Sequence, residues 1–166
     1  TGTLLNGTSG YETEGNGTLA TADALASGGS AIGQLTGTAD EDFYHVITDG
    51  ASTISVTFDT PTNSSSYDYF KVSVQNASGT VLSSQETGKD ITFDTGVTNA
   101  GSYYIVIEDS DFFVTEEYSV SVSVNASEQA SNTTETESNN TLGTADTIEM
   151  GTAIFGQLFE QKQIEN

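Results

Sequence analysis

The sequence predicts an all-β protein, an antiparallel β-sandwich of about eight short strands. Three observations predict it. Apolar and polar residues alternate in Ile54/Val56/Phe58, Phe70/Val72/Val74 and Tyr118/Val120/Val122/Val124, the period of a half-buried strand. Turn-forming residues punctuate these stretches at Asp49-Gly50, Ser78-Gly79, Thr87-Gly88 and Asn99-Ala100-Gly101. No segment sustains the period of about 3.6 residues that an amphipathic helix needs.

Taken in order, residues 1–11 are rich in Thr, Gly and Asn and read as a linker. Residues 18–25 (TLATADAL) have room for one helical turn. Strands are expected at 31–35, 43–48, 52–58, 69–76, 80–84, 90–93, 102–108 and 117–124. Residues 125–134 hold no apolar side chain larger than alanine and form a second linker. The sandwich is therefore expected over 12–124.

The stretch that opens the sandwich occurs twice. Shifted by 123 positions, 12–35 matches 135–158 at 13 of 24 places, including Glu12/Glu135, Asn16/Asn139 and Gly33/Gly156. A fixed-period copy marks a repeat array. Residues 135–166 are thus the start of a second, incomplete repeat, too short to bury a core alone. Within it, 153–159 (AIFGQLF) copies the first strand. An unpaired strand of that kind recruits a sheet edge, which leaves two expectations: the fragment belongs to a longer array and lies against its own domain or is disordered, or it adds to a neighbouring copy by strand donation, head to tail.

Charge excludes whole classes of partner. The chain carries 24 acids against three lysines and no arginine, a net charge of −21. Nucleic acid is excluded, because its binding rests on Lys and Arg neutralising phosphates. Anionic membrane surfaces are disfavoured for the same reason, and no apolar run reaches spanning length. Such a chain repels itself unless cations condense on it, from a saline medium or as specific divalent ions. There is no cysteine, so no disulfide and no Cys-based metal or redox chemistry.

Asparagine points outward. Seven of ten asparagines (6, 16, 63, 76, 125, 132 and 139) begin an Asn-x-Ser/Thr sequon. Chance in a chain this rich in Ser and Thr would make about three. An extracellular or cell-surface location is the expectation.

The ordered features resemble the bacterial pre-peptidase C-terminal domain family and its collagenase collagen-binding relatives. They are Glu12-x-Glu14-x-Asn16, Gly33, and Asp40-Glu41-Asp42-Phe43-Tyr44, then Asp68-Tyr69-Phe70 before Val72/Val74. Ser78-Gly79-Thr80-Val81-Leu82, Gly101-Ser102-Tyr103-Tyr104-Ile105-Val106-Ile107 and Tyr118-Ser119-Val120 complete the set, which spans 12–124. The resemblance implies a jelly-roll-like, non-catalytic sandwich appended to secreted peptidases and surface proteins. It also implies calcium held by Glu12, Glu14 and Asn16 with Asp40 and Asp42. The sequence departs from the collagenase relatives at Gly17, where they place an acid, which leaves a second calcium short of ligands.

The residues themselves suit a hard cation, which takes oxygens from carboxylates and amides. On an extended segment Glu12, Glu14 and Asn16 project from one side, and Asp40 and Asp42 share that spacing. The acids Glu108-Asp109-Ser110-Asp111 lack the later Glu of an EF-hand loop and read as solvated turn acids. Phe112-Phe113 after them are loop anchors or contacts for a partner. Tyr67, Tyr69 and Tyr103/Tyr104 either cover the sheets or meet an extracellular protein or glycan. The lone histidine, His45, alternates with Tyr44 and Val46 as a strand residue. No Gly-x-Ser-x-Gly elbow is present, so no enzyme is expected. The leading expectation is a calcium-stabilised structural or adhesive module. The alternatives are a substrate-binding accessory domain of a secreted hydrolase and a subunit of an extracellular filament.

Overall fold

The computed structural model describes residues 10–63, 67–126 and 141–147, with 135, 139, 154 and 156. Among them there are nine strands and no helix: β1 Asp23–Ala24, β2 Ser30–Gly33, β3 Glu41–Thr48, β4 Ser52–Asp59, β5 Phe70–Asn76, β6 Val81–Thr87, β7 Ile91–Val97, β8 Gly101–Asp109 and β9 Tyr118–Ala126. Among the described residues no helix is long and apolar enough to cross a membrane.

Two sheets face each other, ordered β1-β3-β8-β5-β6 and β2-β9-β4-β7. Apart from the β5–β6 hairpin, each consecutive pair from β2 onward changes sheet, which is the winding of an eight-stranded jelly roll. The alternation read from sequence is what closes it. Ile54, Val56 and Phe58 of β4 are fully buried, as are Phe70, Val72 and Val74 of β5. Phe58 lies against Phe70 and Tyr118 with ring centroids 5.1 and 5.2 Å apart. Each large side chain so buried contributes about 1.5–3 kcal/mol.

Eight of the strands fall where the alternation predicts, several of them longer at one end. β6 and β7 run on to Thr87 and Val97 because the β5–β6 and β4–β7 ladders continue past the apolar positions. The ninth, β1, is a correction. Residues 18–25 make a tight turn, closed by Thr21 N–H to Thr18 C=O at 3.0 Å, and then enter β1, which runs parallel to β3. The sheets are therefore not wholly antiparallel. The copied strand at 153–159 lies outside the described residues except for 154 and 156.

The segment leading into β1 acts as a strap over the five-stranded sheet. It joins the other sheet at the Tyr11–Ile32 bridge and crosses to β3, where Phe43 N–H donates to Asn16 C=O. Its Leu19 side chain comes up beside Gly79 in the β5–β6 turn. Phe43 and Val106 are paired across β3 and β8 and point away from the core, yet both are buried. The strap crosses beside Phe43 at Asn16.

Candidate metal centre

The strap brings its acids to the start of β3. A left-handed Gly15 (φ 94°) bends the chain there, a conformation that costs glycine little. The bend overturns the one-sided extended arrangement expected of Glu12, Glu14 and Asn16. Asn16 folds back, and its Nδ2 donates to Glu12 Oε2 at 3.4 Å and to Asp23 Oδ2 at 3.3 Å. Glu14 instead joins Asp40 and Asp42, and one carboxylate oxygen from each lies within 4.8 Å of the others.

Glu12 lies outside that triple but beside Asp42, as a buried acceptor. It takes Gln34 N–H at 2.7 Å and the Tyr44 hydroxyl at 3.0 Å. Tyr44 and Tyr118 hydroxyls meet at 2.8 Å, and Tyr118 donates to Asp42 Oδ2 at 2.5 Å. Glu12 and Asn16 are each 1 % exposed and Asp42 not at all. Asp40 is held from the side by Thr36, whose N–H and hydroxyl both donate to Oδ2 at 2.7 Å. Gly33 makes room for the tyrosine pair: a Cβ there would overlap both hydroxyls.

Burial dominates the electrostatics. It pushes the Asp42 carboxyl up to about 9, helped by the Glu12 carboxylate nearby. Glu12 is raised first by burial, against the lowering effect of its bond from Gln34 N–H. Glu14 is raised by burial and then by Asp40. Neighbouring carboxylates removed from water resist ionising together, and a bound cation reverses that preference. Asp42 Oδ1 and Asn16 Oδ1 are buried with no hydrogen-bond donor among the described residues. Buried oxygens of that kind need a partner.

The donors suit a hard cation. All are hard oxygens, and one from each acid of the triple lies within 4.8 Å of the others.

Of the five positions expected to bind, the structure groups Glu14, Asp40 and Asp42 and places Asn16 and Glu12 behind them. Sequence reasoning missed Tyr44, Tyr118, Asp23 and Gln34 as supports. Asp23 carried a signal, since it is identical in the two copies of the repeat; Gln34 acts through its backbone N–H, which residue identity does not encode. The tyrosines carried none and read as core rings.

The other expected candidates are placed as follows. His45 stacks on Tyr104 with ring centroids 5.1 Å apart. Glu108 pairs with Lys71 at 2.6 Å. The Phe pair divides: Phe113 packs on the core, whereas Phe112 is 46 % exposed and meets the 51 % exposed Tyr67 edge to face at 4.6 Å.

No family model matches the chain, and no curated protein does. Among solved structures it is similar to the pre-peptidase C-terminal domain of a collagenase from Bacillus anthracis. That likeness has 18 % identity and a TM-score of 0.49, and covers 61 % of this chain and 93 % of that one. It is also similar to PliG from Aeromonas hydrophila, a periplasmic inhibitor of g-type lysozyme. There the identity is 16 % and the TM-score 0.45, over 62 % of this chain and 98 % of that one.

Proposed function

We propose that the chain is a non-catalytic, calcium-stabilised extracellular module whose role is structural or adhesive. The observation that carries this reading is the convergence of Glu14 from the strap with Asp40 and Asp42 at the start of β3. A cation there ties the strap to the sandwich and relieves the repulsion among three carboxylates. The net charge of −21 favours the same outcome. The adhesive part draws on Tyr67 and Phe112, whose rings face solvent on adjoining loops.

Binding to the folded state alone stabilises by about 2.7 kcal/mol at a hundred times the dissociation constant. The melting temperature is expected to rise with calcium, return with chelator, and respond weakly to magnesium. Glu14→Ala should abolish most of that rise. A full calcium response in Glu14→Ala would refute the site.

A further inference from the structure

The seven sequons are chemically alike in sequence, and the fold separates them. A glycan must leave the asparagine Nδ2 outside the fold whether it is attached before or after folding. Asn16 fails this test, since its Nδ2 is spent on Glu12 and Asp23 and the residue is buried. Asn139 repeats those bonds with Glu135 and Asp146 at 3.3 and 3.4 Å. Asn63 donates its Nδ2 to Asp90. Asn125 lies within β9, paired with Thr53, with its Nδ2 3.4 Å from Ser123 Oγ. Asn6 and Asn132 lie outside the described residues.

Asn76 differs. It ends β5 and opens the tight turn into β6, where Gly79 N–H donates to its C=O at 2.9 Å and Gly79 takes φ 78°. Its carboxamide oxygen accepts from Ser78 N–H at 3.0 Å, Ser78 Oγ–H at 2.7 Å and Thr80 N–H at 3.0 Å. The oxygen is saturated, and no described residue accepts from Nδ2. Residues 77–80 are exposed. The sequon hydroxyl thus already contacts the acceptor carboxamide in an Asx turn, in a half-buried residue followed by an exposed turn.

We propose that Asn76 is an N-glycosylation acceptor that takes an oligosaccharide from a lipid-linked pyrophosphate donor, and that Asn16 is skipped. Nδ2 forms a bond to the anomeric carbon as the bond from that carbon to the pyrophosphate oxygen breaks. The bonding pair leaves with the lipid pyrophosphate, and Nδ2 loses one proton to the transferase. The inference rests on the outward location proposed above and not on the metal centre.

The test is the full chain secreted from a eukaryotic host that modifies such sequons, followed by intact mass and glycopeptide mapping. More than half of the Asn76 peptide is expected to carry glycan, and the Asn16 peptide none. Ser78→Ala, which keeps the asparagine and its turn, should reduce Asn76 occupancy at least fivefold, and Ser78→Thr should retain it. Calcium-dependent melting of the same material reports on the metal centre separately. Unmodified Asn76 would overturn the proposal, with or without glycan elsewhere, as would glycan on Asn16 in folded protein.

Discussion

Residues 12–33 and 135–156 are copies in sequence, and the described residues of the second repeat several local bonds of the first. Asn16 reaches Glu12 and Asp23 at 3.4 and 3.3 Å; Asn139 reaches Glu135 and Asp146 at 3.3 and 3.4 Å. The Thr18–Thr21 hydroxyl contact of 2.8 Å returns as 2.9 Å between Thr141 and Thr144. The environment is what changes. Glu12 is buried under Tyr44 and Tyr118, while Glu135 is half-buried, with its carboxylate against Gly156. Gly156 matches Gly33, which the two tyrosine hydroxyls crowd instead. The conformation of the entry segment is thus encoded locally, and the acid chemistry comes from the sandwich packed on it.

The largest test of this contrast is Gly33→Ala against Gly156→Ala. At Gly33 the new methyl meets hydroxyls fixed by their own bonds, within a paired strand. Overpacking of that kind costs roughly 3 kcal/mol and should lower the urea midpoint sharply. At Gly156 the obstacle is the tip of the Glu135 side chain, which can swing aside, so the sandwich midpoint should not move. Equal effects would break the comparison.

The second test is pH. Asp42 rises from an ordinary 3.8 to about 9, with Glu12 and Glu14 raised as well. A raised carboxyl means that the folded state holds the proton longer than the unfolded one. Calcium-free protein should therefore be most stable below about pH 4 and lose stability as pH climbs toward about 9. Saturating calcium should flatten the slope, and so should Asp42→Asn without calcium. A calcium-free melting temperature independent of pH in this window would contradict the burial argument.

The smallest expected effect is Asn16→Ala against Asn139→Ala. Losing the buried amide should cost about 1–2 kcal/mol, whereas the Asn139 change should leave sandwich unfolding untouched. Chemical denaturation of both variants decides it.

How far these features are legible in sequence follows from their range. Period-two stripes such as 54–58 and 118–124 expose β4 and β9 because one face of each is buried. β1 has two residues, too few for any period, and its partner β3 supplies the pairing. The acids of the site are visible as close pairs. Tyr44 and Tyr118 are 74 residues apart, and what matters is where their hydroxyls end, which alternation does not encode. The bend at Gly15 escaped for a similar reason, since an extended reading of 12–16 assumes that no residue takes φ > 0.

The strap also joins the two sheets. It bridges to Ile32 of one sheet in parallel register and leaves along Tyr44–His45 of the other, again in parallel. Backbone bonds hold it at the first attachment, where Glu12 N–H donates to Ile32 C=O and Ile32 N–H to Gly10 C=O. The next hold is Glu12, fastened to the Gln34 backbone and the Tyr44 hydroxyl. The strap is thus fastened to both sheets before the chain enters the jelly-roll ladders.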